Sequence, residues 1–256
     1  MKKIKIINSF KLQNKFDLIF FAAGYASPMK FTQESEETIL THSIGLVNSS
    51  KQLKKNGTLI YLSSSEIYNG EKNHFSEHYS GNINYDNARA PYINGKKFGE
   101  TYCKILNGKG FNVKILRISL TYGPGAKTQD TRVINELIMK AIKYKKINLI
   151  DNGSDKRKYL YINDCMEIML KITKKSKFTT YNITGNSKTS ILNLAQKISK
   201  KMKVKYTIPK EEKRLKDAPK IVNIDNSRVK NEFKKNKYYS MSYGLNTTIS
   251  WYKTLL

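Results

Sequence analysis

Thr58-Leu-Ile-Tyr-Leu-Ser-Ser-Ser-Glu-Ile-Tyr68 begins as a β-prone apolar run and ends in hydroxyl and carboxylate side chains. Thr58–Leu62 reads as a short β run. Outward from it, Lys3–Ile7 and Leu18–Ala23 are further strand-like runs. Glu36–Lys54 carries Ile39, Leu46, Val47 and Leu53 at helical spacing, which predicts one helix. A second helix is expected from about Tyr92 to Leu106, then the strand Val113–Ile118. Gly123-Pro124-Gly125 breaks the chain, Val133–Ile142 reads as helical, and Ile147–Ile150 and Tyr159–Ile162 read as short strands. Asn163-Asp164 signals another helix start, after which helix, strand and helix are expected to the end. Strand and helix in alternation specify an α/β fold with a mostly parallel sheet. From about Thr128 the elements shorten, predicting a smaller second lobe. Ligands of such sheets bind beyond the carboxyl ends of the strands, so the Ser63–Glu66 segment falls where a site is expected.

Composition narrows the class. A chain of 256 residues with 39% hydrophobic content can build a real core. The longest apolar stretch, Asp17–Ala23, is far shorter than a membrane span, and Met1-Lys-Lys leads into a strand-like run rather than a secretory signal. Cys103 and Cys165 are too few for a disulfide framework, so a soluble protein of the reducing cytoplasm is expected. His42, His74 and His78 do not fall at metal-ligand spacing with Cys or acidic residues, so no metal is expected; His42 reads as a packing or hydrogen-bonding residue. The net charge of +27 raises a nucleic-acid role as an alternative, one that would show affinity falling steeply with salt. The lysines are spread along the whole length without a binding motif, which argues against it. Of the 47 basic residues 41 are lysine, and Lys, Asn and Ile share A/T-rich codons, so much of the excess reads as genomic bias. The six arginines are then informative, because a planar fork recognises phosphate and carboxylate in a way lysine does not.

Tyr92-Ile-Asn-Gly-Lys96 opens the second helix. Spacing i, i+4 puts phenol and ammonium on one helical face, and a nearby ammonium favours the phenolate, which can then serve as a base near neutrality. A serine hydroxyl from the neighbouring strand end can share the substrate oxygen. Tyr-x-x-x-Lys alone is weak in a lysine-rich chain with 17 tyrosines.

It does not stand alone. Phe21-Ala-Ala-Gly-Tyr-Ala-Ser-Pro28, Ser63-Ser-Ser-Glu-Ile-Tyr68, Arg89-Ala-Pro-Tyr-Ile-Asn-Gly-Lys96, Arg117-Ile-Ser-Leu-Thr-Tyr-Gly-Pro124, Arg132-Val-Ile, and Gly153-Ser-Asp-Lys-Arg157 with Tyr161-Ile-Asn-Asp164 follow in order. From about Phe16 onward the chain resembles the extended short-chain dehydrogenases of the NAD-dependent epimerase/dehydratase family, nearest to UDP-glucuronate decarboxylases. The resemblance implies a Rossmann-like NAD-binding domain over residues 1–127. Residues 128–256 would be mainly a substrate lobe, with some elements returning to the core. It implies NAD as cofactor, a nucleotide-sugar substrate, oxidation of the sugar at C4, and a role in supplying sugars for surface polysaccharide. Tyr92 would take the hydroxyl proton, Lys96 would hold the nicotinamide ribose and tune Tyr92, and Ser64 would share the hydrogen bond; Glu66 joins this catalytic set. Ala22, Gly24, Thr121 and Arg132 would face the cofactor, and Ser27, Ser65, Arg89, Arg157 and Lys220 the substrate. Ser65-Glu66 stands where 4,6-dehydratases carry Asp-Glu and decarboxylases Ser-Glu, which favours a decarboxylase-like or epimerase-like outcome. A homodimer through helices 36–54 and 92–106 is implied as well.

The sequence departs from the family at the front. No G-x-x-G-x-x-G precedes the first glycine, Gly24, and Lys3–Ile7 corresponds to the family's third strand. The expected sheet therefore lacks its first two strands, leaving an exposed apolar edge. A truncated gene or mis-set start, a partner chain supplying the piece, and loss of oxidoreduction are the three explanations. The last corresponds to an inactive family member that binds a nucleotide sugar or a partner. Leu120 replaces an Asn, Leu40 falls where decarboxylases carry a Lys, and Lys220 stands where an Arg normally meets the diphosphate.

Overall fold

The computed structural model describes residues 14–69, 75–186, 188–210 and 221–256. Lys3–Ile7, His74 and Lys220 lie outside them. By contacts the chain divides into two units. The first takes the described residues up to Asn69 together with Glu77–Ile118 and Met169–Ile183; the second takes Ser119–Ile168, the described residues from Thr184 on, and a short piece ending at Ser76. The units thus interleave in sequence, with a boundary at Ile118/Ser119 and a return at Met169–Ile183.

The first unit is built on a four-stranded parallel sheet in the order β1(Phe16–Phe21), β2(Leu53–Ser64), β3(Asn112–Ile118) and β7(Thr180–Ile183). Leu59, Ile60 and Tyr61 of β2 are all fully buried, as a strand with both faces covered requires. On β1, Phe16, Leu18 and Phe20 share one face by alternation, and all three are exposed.

The helix expected over Glu36–Lys54 is present from Ser35 to Ser50, with a π-helical turn inside it, and ends earlier than expected. α1(Pro28–Gln33) and α2(Ser35–Leu40) lead to a π-helical turn at Thr41–Gly45, then α3(Leu46–Ser50). The helix ends at Ser50, and Leu53 is the buried first residue of β2 rather than part of a helical stripe. Ile39, predicted to face the core, is exposed.

α4(Ala90–Gly108) carries the Tyr92–Lys96 motif, with Pro91 in its first turn, where a missing N–H costs nothing. Its fully buried Cys103 packs with Leu59, Tyr61, Val113 and Ile115 in the core of this unit. Gly99 brings the helix close to the sheet: a Cβ there would run into the hydroxyl and ring of Tyr61, which is fully buried and has no room to turn. Gly99→Ala is therefore expected to destabilise the protein by about 1–3 kcal/mol, overriding the roughly 1 kcal/mol by which a helix prefers Ala. Denaturant unfolding checks this; an unchanged or raised midpoint would show that the approach is looser.

The second unit pairs β4(Leu120–Tyr122) and β10(Ile221–Val222) in parallel with β6(Lys156–Tyr161), and β8(Lys188–Ser190) antiparallel with β6. β5(Lys146–Asn148) pairs β9(Lys205–Thr207). α5(Val133–Tyr144), α7(Ile191–Met202) and α9(Met241–Thr254) supply its core through Ile138, Leu194, Ile198, Leu245 and Tyr252. α6(Ile162–Lys174) starts at the predicted Asn163-Asp164 signal. Asp164 there accepts the backbone N–H of Tyr239 at 3.0 Å and pairs with buried Lys235 at 2.8 Å, fixing the segment between α8(Ser227–Phe233) and α9.

Candidate active site

β2 ends at Ser64, and the chain turns at once into a short 3-10 turn, Ser65–Tyr68. Ser64 Oγ accepts the Glu66 N–H at 3.1 Å, capping that turn and fixing where Glu66 stands. Ser63, one residue earlier, donates to Glu100 at 2.6 Å.

On α4, Tyr92 and Lys96 share a face as their spacing predicts. The Lys96 amine lies 5.6 Å from the centre of the Tyr92 ring and 5.4 Å from that of Tyr61, and donates to the Leu62 carbonyl at 2.6 Å. Burial pushes its pKa down to about 7, against the opposing pull of Glu100 one turn on.

The Tyr92 ring is held by two side chains that motif reading did not assign to it. Phe31, on α1, stacks on it at 4.2 Å between centroids and 12° between planes. His42, on the π-helical turn, meets it edge-on at 5.6 Å and 80°. Alternating apolar spacing says nothing about either contact, because both come from segments distant in sequence. The His42 imidazole is buried, with neither ring nitrogen hydrogen-bonded among the described residues. It also accounts for Gly24: that residue takes φ +116°, and a Cβ on it would come within 2.5 Å of the imidazole.

Burial, and then the nearby Lys96 charge, lower the His42 pKa from 6.5 to about 3. Between those two values the unfolded chain binds a proton the folded chain refuses. Stability from this group is thus complete above pH 6.5 and is lost as pH falls toward 3. Taking wild type from pH 7 to pH 4.5 should remove roughly 2–3 kcal/mol through His42 alone. A His42→Leu protein should have a flatter profile over that interval; equal slopes in denaturant titrations would refute the assignment.

The arginines singled out by sequence are all engaged with acids. Arg89, immediately before α4, pairs with Glu66 and lies 5.7 Å from the centre of the Phe31 ring. Arg132 pairs with Asp130 at 2.5 Å and reaches the Thr121 carbonyl at 3.4 Å, while Thr121 donates to Ser119 O at 3.1 Å. Arg157 pairs with Asp155 at 3.2 Å. Arg117, noted only as the start of a motif, is held by Glu100 through three contacts of 2.7 to 3.3 Å, and also donates to Tyr68 and to the carbonyls of Glu77 and Tyr79. Ala22 and Gly24 follow β1, Ser27 immediately precedes α1, and Ser65 is buried at the head of its turn. The structure thus gathers Gly24, Ser64, Ser65, Glu66, Arg89, Tyr92 and Lys96 in the first unit, while Thr121, Arg132 and Arg157 belong to the second.

Among the described residues there is no cluster of three or more metal-ligating side chains, and no helix is long and apolar enough to cross a membrane. Residues 2–184 match the sequence model of the NAD dependent epimerase/dehydratase family. The chain is 29% identical over 185 residues to UDP-glucuronic acid decarboxylase 1 of Xenopus tropicalis, covering 71% of this chain and 44% of that protein. It is likewise 29% identical over 190 residues to UDP-glucuronic acid decarboxylase 6 of Arabidopsis thaliana, covering 73% and 55%. The match thus spans about half the length of these relatives. Among solved structures it is similar to Pal from Bacillus thuringiensis, with TM-score 0.81, 21% identity, and coverage of 95% of this chain and 78% of that one. UDP-glucose 4-epimerase from Thermotoga maritima, solved with UDP-glucose, gives TM-score 0.79, 21% identity, and coverage of 94% and 78%. At these identities the structural likeness establishes the Rossmann-like α/β fold.

Proposed function

The chain belongs to the NAD-dependent epimerase/dehydratase family, and from that premise we propose that it modifies a nucleotide sugar through a 4-keto intermediate, with UDP-glucuronate decarboxylation as the outcome. The observation that carries this reading is the Lys96 amine set over the Tyr92 ring beside the carboxyl end of β2. Tyr92 accepts the proton of the sugar C4 hydroxyl, and Ser64 hydrogen-bonds the same oxygen. Bound NAD would accept the C4 hydride and later return it. Lys96, charged and hydrogen-bonding, would hold the ribose next to the nicotinamide and favour the phenolate form of Tyr92.

The residues present suit that cofactor. Gly24 follows the carboxyl end of β1, where sheets of this kind bind their ligands, and the buried His42 imidazole packed against it has neither ring nitrogen hydrogen-bonded among the described residues. Ala22, Thr121 and Arg132 complete the proposed cofactor side, and Ser27, Ser65, Arg89, Arg157 and Lys220 the substrate side.

Oxidation at C4 places a carbonyl β to the C6 carboxylate, so loss of carbon dioxide leaves an enolate that takes a proton at C5. Ser65, a poor proton donor to a departing hydroxyl, supports this outcome over dehydration. The relatives named as UDP-glucuronic acid decarboxylases support the same substrate. We place the protein in the cytoplasm, serving surface-polysaccharide sugar supply. Exposed Ile39, Ile44, Phe98 and Ile105 support a homodimer through α2, the π-helical turn and α4, readable as a doubled mass by sedimentation.

The chain incubated with NAD and a panel of UDP-, dTDP-, CDP- and GDP-sugars tests the reading by mass spectrometry. UDP-glucuronate should yield a UDP-pentose. Absence of pentose, 4-keto or epimer product from every sugar would rule it out.

A further inference from the structure

Glu100 lies four residues beyond Lys96 on α4, which puts the two side chains on one face of the helix, a turn apart. It is buried, and a buried carboxylate is costly unless it is paired. Its pairing joins three elements. Ser63, next to last in β2, donates to Oε1 at 2.6 Å, and Arg117 on β3 donates through Nε and Nη2 over 2.7 to 3.3 Å. Ser63 and Arg117 are partners in the β2–β3 register, so one carboxylate ties both strands to α4 just before Ser64.

The surroundings of the Lys96 amine are otherwise poor in negative charge. The rings of Tyr61 on β2 and Tyr92 on α4 stand beside it, it donates to the Leu62 carbonyl, and the His42 imidazole feels its charge from the π-helical turn. Burial keeps that imidazole neutral at pH 7 and pushes the Tyr61 phenol well above its usual range. Glu100 is the one carboxylate that acts on Lys96 among the described residues, and it does so although Arg117 engages both its oxygens. A buried ion pair is weak evidence for stability as such, because apolar side chains of similar size often serve as well. This one stands where it reaches two members of the proposed catalytic set.

We infer that Glu100 is a positioning residue of the proposed active site: through Ser63 it fixes the end of β2 where Ser64 stands, and it supplies the negative charge against which the Lys96 ammonium is held. This rests on the nucleotide-sugar reading above and adds a residue that acts through Ser64 and Lys96 rather than on the reacting atoms.

Two measurements on the full chain separate this role from a structural one. Lys96 is held below its ordinary pKa in the folded chain, so between about 7 and 10.5 the unfolded chain binds a proton the folded chain lacks, and stability from this group rises with pH across that interval. Glu100→Gln removes the charge, and in denaturant titrations the rise should begin about one pH unit lower, the order expected for a unit charge one helical turn away. With NAD and UDP-glucuronate, kcat of this variant should fall about tenfold at neutral pH with KM little changed, and the alkaline limb of its pH profile should move down by the same interval. Glu100→Asp keeps the charge and should keep the wild-type limb. Ser63→Ala should lower kcat without moving the limb. An unmoved onset and limb in Glu100→Gln, or wild-type turnover in Ser63→Ala, would overturn the inference and leave the family reading intact. Should Glu100→Gln fail to fold, Ser63→Ala and Glu100→Asp carry the test, and a shifted limb in Glu100→Asp would overturn it. If wild type turns over no nucleotide sugar, the reading above falls, and the onset of the stability rise alone judges the charge on Glu100.

Discussion

Tyr92→Phe should lower turnover of UDP-glucuronate by about a hundredfold to ten-thousandfold while leaving the fold intact, the range expected when a positioned proton acceptor is removed. The expectation of an intact fold comes from what holds the ring. Phe31 stacks on it and His42 meets it edge-on, and neither contact uses the hydroxyl. A phenyl ring keeps both ring contacts, so turnover should fall far more than stability. Lys96→Met should behave differently. It removes an amine that donates to the Leu62 carbonyl and raises no new clash, but it leaves that carbonyl without its donor. Its loss of activity should therefore come with a measurable change in stability. A Tyr92→Phe protein that turns over like wild type would end the proposed role of the phenol.

The largest stability effect is expected at Arg117. Its guanidinium and the Glu100 carboxylate are both nearly inaccessible, 2.7 Å apart. The same group anchors the Tyr68 hydroxyl, itself bonded to Asn182 on β7 at 2.6 Å, and the carbonyls of Glu77 and Tyr79. Arg117→Met leaves an uncompensated buried carboxylate and should cost about 3–5 kcal/mol, a large share of the stability of a typical domain. Replacing both partners, Arg117→Met with Glu100→Leu, removes the stranded charge and should recover part of the loss, though Ser63 would lose its bond to Glu100 and Tyr68 its bond from Arg117. Denaturant melts of wild type, single and double variants decide this. A double variant no better than the single would mean that the hydrogen bonds of Arg117, rather than the charge on Glu100, dominate. Glu100 is also the group that raises the Lys96 pKa against burial, so the same variants should shift the pH dependence of turnover.

The parts of this protein that were legible in its sequence are those set by local periodicity. The parallel strands β2 and β3 show as apolar runs, and Tyr92 and Lys96 fall on one face of α4 because 3.6 residues per turn puts them there. What sequence could not give is tertiary. The apolar spacing of Ile39, Leu46, Val47 and Leu53 suggests one regular helix, but a π-helical turn at Thr41–Gly45 interrupts the α pattern, His42 in it meets the Tyr92 ring, and Leu53 belongs to the sheet. Phe31 reads as an ordinary apolar residue until it is found stacked on the phenol. Arg89 was expected on the substrate side and is found paired with Glu66, a partner 23 residues away whose sign, though not its position, sequence supplies. Gly24 reads as backbone left bare for a cofactor; in the fold the first thing it makes room for is the imidazole of His42.

The account stands or falls on whether the phenol over which the Lys96 amine sits takes the proton that lets hydride leave the sugar. Rapid mixing of the chain with NAD and UDP-glucuronate, followed by the absorbance of reduced nicotinamide, reads that step directly. The signal should rise and decay with wild type and be absent with Tyr92→Phe. Reduction at the same rate in both proteins, or pentose formed by wild type with no reduced nicotinamide at any time, would contradict it.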